Sequence, residues 1–111
     1  MDEPHVFGPR PLAGFLSTMC GDGADDLLVA AGRGDMVAFA DFYDRTVHAV
    51  YGLLRGVLGE AGGADQAAQR VYLTLWRTAP WFDPAGVSAC SVLLLAARRE
   101  LVKPLRAILA K

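Results

Sequence analysis

The sequence contains few of the residues that build catalytic and metal centres. Its 111 residues include only two cysteines, Cys20 and Cys90, and two histidines, His5 and His48. These four residues are far apart and show no paired-ligand spacing, so no metal site is predicted. The sequence also shows no phosphate-binding loop, nucleophile–base pairing or metalloprotease signature. It therefore predicts a protein that is not an enzyme and that needs no cofactor.

Long hydrophobic runs are also missing. The longest one, residues 92–97, is far too short to span a bilayer. The chain begins with Asp2 and Glu3, where a secretory signal would carry positive charge. We therefore expect a soluble, cytoplasmic protein without membrane contact. In that compartment both cysteines should be reduced, with Cys90 as a small buried hydrophobic residue.

The apolar residues recur at helical spacing. They repeat every three or four positions within residues 34–58 and 64–84, which predicts two amphipathic helices. The expected apolar stripe of the first helix is Phe39, Phe42, Tyr43, Val47, Val50, Tyr51, Leu54, Val57 and Leu58, and that of the second is Ala68, Val71, Tyr72, Leu75, Trp76 and Ala79. A shorter helix is expected over residues 25–31, closed by Gly34, and Asp35 is placed to cap the next helix. A last helix should begin at Ser88 as its N-cap. The expected fold is all-α, a compact bundle of about four helices over residues 24–111, preceded by a flexible segment at 1–23.

Charge is distributed unevenly although the net charge is only −1. Residues 1–44 carry −6 and residues 45–111 carry +5. The final fourteen residues alone carry +4, from four candidate DNA-binding residues and Lys111 against Glu100. The four candidates are Arg98, Arg99, Lys103 and Arg106. Such a cluster suits a phosphate backbone, but it equally suits an ordinary solvated helix end that complements the helix dipole.

Three motifs occur in order between Gly34 and Pro84. The first comprises Gly34, Asp35, Ala38, Phe39 and Tyr43; the second Gln69, Val71, Tyr72, Trp76 and Arg77; the third Phe82, Asp83 and Pro84. Together they resemble region 2 of the extracytoplasmic-function (ECF) group of bacterial RNA polymerase sigma factors. The resemblance runs from about Asp25 to Arg106. It implies a helical module that docks on the clamp of core RNA polymerase, contacts minus-ten promoter DNA and is a possible target of an anti-sigma factor.

The resemblance also implies a polymerase-binding surface and shows where this chain departs from the pattern. The candidate polymerase-binding residues are Asp41, Asp44, Asp65, Gln66, Gln69 and Arg70. Arg70 stands where the family usually has an acid, which should weaken docking on a basic clamp. Val92 falls where the family has a tryptophan, so Trp81 and Phe82 are the only nearby aromatic residues for base stacking. Pro104 should kink or end the last helix.

Two functions of different class therefore remain open. In the first, the chain is a sigma-like initiation protein that lacks the helix-turn-helix domain normally following region 2, since the sequence ends at Lys111. In the second, it is a non-initiating regulatory module on the same scaffold, which binds the polymerase, an anti-sigma factor or itself.

Overall fold

The computed structural model describes residues 20–60 and 62–109, with side chains described as far as Lys103. Within these residues there are four α-helices: α1 (Ala24–Gly32), α2 (Met36–Leu58), α3 (Ala64–Thr78) and α4 (Ala89–Leu109). A 3-10 turn, Ala79–Trp81, follows α3, and the described part of the chain contains no strand. The predicted all-α bundle is confirmed. Residues 1–19, most of the segment expected to be flexible, lie outside the described residues.

The helix boundaries follow from short polar side chains and from glycine. The side chain of Asp35 accepts a hydrogen bond from the Ala38 amide at 3.0 Å, as an N-cap does. Gly34 has a φ of +97°, a conformation that glycine adopts without strain, and its amide donates to the Ala31 carbonyl. At the start of α4 the Ser91 amide donates to Ser88 Oγ at 3.1 Å. All three predicted boundaries are confirmed.

The core is formed by side chains from every helix. Its largest fully buried members are Leu28 from α1, Phe42 and Leu54 from α2, Leu75 from α3, and Leu93 from α4. Helix α2 packs against α1 and α3, and α3 packs against α4. The two amphipathic helices predicted from periodicity therefore lie against each other. None of the described helices combines the length and apolar character needed to cross a membrane.

The apolar stripe of α2 differs in part from the one expected. Val57 is 60% exposed and Tyr43 is 39% exposed, whereas the polar Thr46 is completely buried. Thr46 tolerates burial because its hydroxyl donates to the Phe42 carbonyl at 2.9 Å and lies 2.6 Å from the Tyr72 hydroxyl. A helical pattern based on side-chain polarity alone places Thr46 on the solvent-facing side of α2.

Two prolines affect their helices differently. At Pro80 the α-helix gives way to the 3-10 turn, as expected of a residue that cannot donate an amide hydrogen. At Pro104, in contrast, α4 continues to Leu109, so of the two expected effects, a kink or an end of the helix, the end is wrong. Proline has a helical φ, and within an established helix it can remove one hydrogen bond without terminating the helix.

The two cysteines are joined, which corrects the prediction of reduced thiols. Cys20 and Cys90 form a disulfide with their Cα atoms 5.9 Å apart, across a sequence separation of 70 residues. The sequence contains no local signal for this pair, because only the folded bundle brings the end of the N-terminal segment to α4. A cross-link over so long a loop stabilises a fold by about 4 kcal/mol in the chain-entropy description.

Candidate functional site

A groove runs along the junction of α2 and α3. It encloses about 500 Å³ and is lined by Tyr43, Val47, His48 and Tyr51 from α2 and by Asp65, Ala68 and Gln69 from α3. Apolar surface makes up the larger part of its lining, and polar groups come from His48 on α2 and from Asp65 and Gln69 on α3. We call this the α2–α3 groove. Two of the six predicted polymerase-binding residues, Asp65 and Gln69, thus meet there.

The other four predicted polymerase-binding residues do not line the groove. Gln66 and Asp44 are exposed on α3 and α2. Asp41 forms an ion pair with Arg45 at 3.2 Å, and Arg45 also donates to the Asp22 carbonyl at 2.6 Å. Asp41 therefore helps to brace the segment before α1.

Arg70 is engaged within the protein. Its Nε donates to Glu100 Oε1 at 2.9 Å, and Lys103 Nζ donates to the other carboxylate oxygen of Glu100 at 2.7 Å. Glu100 is only 7% exposed, whereas both cations are more than half exposed. Arg70, Glu100 and Lys103, here called the charge triad, tie α3 to α4. The positive charge of Arg70 that seemed unfavourable for docking is thus balanced by a carboxylate.

Glu100 is the intramolecular partner of Arg70 and Lys103 that sequence reasoning missed. Burial opposes its ionisation, but hydrogen bonds from Lys103 and Arg70 and their positive charges outweigh that effect, so the pKa of Glu100 is lowered from 4.5. In the sequence it appeared only as a lone acid among bases. Its spacing of three residues from Lys103 was the available signal.

The predicted DNA-binding residues fall into three situations. Arg98 and Arg99 are exposed on α4, and neither has an ion-pair partner in the described part of the chain. Lys103 is also exposed but belongs to the charge triad. The side chain of Arg106 lies outside the described residues. Arg98 and Arg99, two exposed cations on one helical turn, remain as a candidate phosphate-binding surface.

An apolar groove adjoins the start of α4. It has a volume of about 340 Å³, and its lining includes Leu75 and Phe82, as well as Val87, Val92 and Trp81. The Trp81 ring is 79% exposed and Val87 is 52% exposed. Val92, which replaces the expected tryptophan, therefore borders the same groove as Trp81. We call it the Trp81 groove.

Aromatic side chains of α2 and α3 pack against each other where the two helices meet. Phe39 meets Trp76 edge-on with ring centroids 5.2 Å apart, and Tyr43 meets Tyr72 edge-on at 4.8 Å. Trp76 is half-buried against the core. Burial raises the pKa of Tyr72 to about 12, although its hydrogen bond with Thr46 acts in the opposite direction. These residues hold the groove's two walls together and do not themselves offer a reactive group.

No group of three metal-ligating side chains comes together within residues 20–60 and 62–103. The arrangement of two grooves and one basic helical face is suited to binding partners.

Comparison with known proteins bears directly on the family. Over 82 residues the chain is 43% identical to the ECF RNA polymerase sigma factor SigK of Mycobacterium tuberculosis, a match that covers 74% of this chain and 44% of the relative. The protein of the same name from Mycolicibacterium vanbaalenii is 44% identical over 82 residues, covering 74% and 42%. That of Mycobacterium ulcerans is 42% identical over 86 residues, covering 78% and 46%.

The chain thus spans less than half the length of these curated relatives. No protein-family model matches it, and no solved structure is significantly similar. At this identity over three quarters of the chain, the resemblance seen in the three motifs is confirmed. The chain is a homologue of part of the ECF RNA polymerase sigma factors.

Proposed function

We propose that this chain is a sigma-factor-like transcription protein that binds core RNA polymerase and contacts minus-ten promoter DNA in the bacterial cytoplasm. The observation that carries the proposal is the identity of about 43% to ECF sigma factors over 82 residues. Its role is binding, and no catalytic residue is assigned. Residues 24–111 are the proposed region-2-like domain.

The α2–α3 groove is the proposed polymerase-docking surface. Its apolar floor offers area to a partner helix, and Asp65 attracts a basic partner. Gln69 adds hydrogen-bonding capacity on the same wall, and the exposed Asp44 and Gln66 extend the surface. Asp41 and Arg70 are assigned only supporting roles, because each is already paired within the protein.

The test of docking compares two charge reversals in a polymerase-binding assay. Asp65→Lys should weaken binding to core RNA polymerase by about tenfold or more, because it places a cation where a basic partner docks. Asp26→Lys is the matched control, since Asp26 is exposed on α1 and does not line the groove. Equal affinity for both variants and the parent protein would remove this surface from the proposal.

The exposed face of α4 and the Trp81 groove are the proposed DNA-contacting surfaces. Arg98 and Arg99 supply positive charge for phosphates. The exposed ring of Trp81 supplies a face on which an unpaired base can stack. Lys103 extends the basic surface and also neutralises Glu100. Arg106 is kept as a proposed DNA contact from the sequence alone.

Salt dependence tests the DNA contact. The double variant Arg98→Ala, Arg99→Ala should reduce the slope of log affinity against log salt by about 1.4 for a single-stranded minus-ten oligonucleotide with polymerase present. Arg33→Ala, which removes an exposed cation near the end of α1, is the control and should leave the slope unchanged. Polymerase binding with no DNA contact in the parent protein would support the second candidate, a non-initiating module. That candidate is favoured by the lack of any aromatic residue between Phe82 and Lys111.

A further inference from the structure

The disulfide lies at a junction that the proposed function does not use. Cys20 comes just before α1, and Cys90 is the second residue of α4. Both side chains are buried, at 4% and 9% exposure, in the wall of a cleft of about 500 Å³. Gly21 and Gly23, with φ values of +72° and +82°, flank Asp22 in the short connection to α1. The bond therefore fastens the N-terminal segment to the start of α4.

Two noncovalent contacts support the same junction. Asp25 Oδ1 accepts a hydrogen bond from the Ala89 amide at 2.7 Å, which caps α4 from a second helix. Arg45 donates to the Asp22 carbonyl at 2.6 Å. Neither contact responds to reductants, so the disulfide is the one redox-sensitive link among the contacts that hold this junction in the described residues.

We propose that the Cys20–Cys90 disulfide is a reversible thiol–disulfide exchange site that controls how firmly the start of α4 is held. Its co-reactant is a dithiol. One thiolate of the dithiol attacks a sulfur of the bridge, forming a mixed disulfide and releasing the other cysteine as a thiolate that takes up a proton. The second thiol of the reductant then displaces the remaining cysteine. Two electrons and two protons pass to the protein, and the reductant becomes a disulfide.

Reduction should alter the Trp81 groove, which is a proposed DNA-contacting surface. It should leave the α2–α3 groove, the proposed polymerase-docking surface, unchanged. The loop at 82–88, which contributes to the Trp81 groove, runs directly into α4. Without the bridge, the start of α4 loses its covalent tie, and the Asp25 and Ser88 hydrogen bonds remain among its noncovalent contacts. The α2–α3 groove contains no residue of this junction. This part of the inference rests on the proposed function. A disulfide in a reducing compartment is typically transient or redox-sensing, which fits such a site.

The switch itself is tested without any partner. The 111-residue sequence has two cysteines, and they pair with each other, so a reductant changes no other disulfide within it. Dithiothreitol should expose two alkylatable thiols, lower the midpoint of thermal unfolding by about 10 °C or more, and speed amide exchange over residues 89–93. Reoxidation should restore all three. The variant Cys20→Ala, Cys90→Ala should match the reduced protein and ignore dithiothreitol. If the parent protein is reduced and its unfolding midpoint and amide exchange rates do not change, the proposal is overturned.

The output is tested with polymerase and DNA. Reduction should weaken minus-ten oligonucleotide binding to the polymerase complex by about tenfold and leave affinity for polymerase unchanged, consistent with loss of one ordered contact surface. Equal DNA affinity of the two forms overturns the proposed output. Failure of both forms to bind polymerase refutes the proposed function instead, and the alkylation and exchange results still decide whether the switch exists.

Discussion

The α2–α3 and α3–α4 contacts are built from opposite chemistry. Between α2 and α3 the described residues form edge-on aromatic contacts and a buried neutral hydrogen bond, with no ion pair. Between α3 and α4 a charge triad bridges the helices, and both of its cations are more than half exposed. Neutral buried contacts respond weakly to salt and moderate pH, whereas exposed charges respond to both. Solution conditions should therefore alter one contact more than the other.

The difference coincides with the division of proposed roles. The α2–α3 groove, the proposed polymerase site, lies on the neutral contact. The proposed DNA site is the basic face of α4, which lies beside the charge triad. The disulfide is attached at the opposite end of the same helix. Polymerase docking is thus assigned to the helix contact that changes in salt and pH should alter least.

The largest expected loss of stability comes from truncating a completely buried core side chain. Phe42 is completely buried on α2, so Phe42→Ala should lower the free energy of unfolding by about 3–5 kcal/mol. Val37→Ala on the same helix is the control, because Val37 is 80% exposed and its loss should cost almost nothing. Denaturant unfolding measures both. Similar losses in the two variants would mean that the inward face of α2 is assigned wrongly.

Trp76 should contribute less than a core residue. Its ring is half-buried and contacts Phe39 edge-on, so Trp76→Ala should cost about 2 kcal/mol. Trp81→Ala, which removes a 79% exposed ring, should leave unfolding unchanged while weakening DNA binding. An equal loss of stability in both variants would contradict the difference in burial.

The neutral contact should become sensitive only in strong alkali. Tyr72 has a folded-state pKa of about 12 against 10.0 for an unperturbed tyrosine. Its stabilising contribution is therefore complete below pH 10 and is lost as the pH rises through about 12. Tyr72→Phe should cost about 1 kcal/mol at neutral pH and remove that alkaline loss. Urea titrations at several pH values test this, and an unchanged alkaline slope would assign the loss to another group.

The charged contact should fail in acid. Since the folded-state pKa of Glu100 lies below 4.5, its contribution is complete above that pH and is lost as the pH falls through the folded-state value. Glu100→Gln should cost about 1 kcal/mol at pH 7, less at high salt, and nothing in strong acid. A cost that stays constant from pH 7 to pH 3 would show that packing, and not charge, holds Glu100.

The helices were predictable because their signals are local. Asp35, Gly34 and Ser88 mark boundaries through contacts made within three or four residues, and apolar spacing identifies the inward faces. The burial of Thr46 was not predictable, because its partner Tyr72 lies 26 residues away on another helix. The disulfide escaped prediction for the same reason.

The candidate site was predictable only in part. Asp65 and Gln69 share a groove because they are one turn apart on α3, which sequence spacing shows. The pairing of Arg70 with Glu100 joins residues 30 positions apart, so no spacing rule reveals it. A surface charge in the sequence therefore indicates a binding role only once its intramolecular partners are known.

Titration of core RNA polymerase with this 111-residue chain tests the central claim most directly. Fluorescence anisotropy of the labelled protein should show saturable binding at one site per polymerase, weakened by Asp65→Lys and unaffected by Asp26→Lys. Absence of saturable binding by the folded parent protein would contradict the assignment of this helical bundle to the transcription machinery.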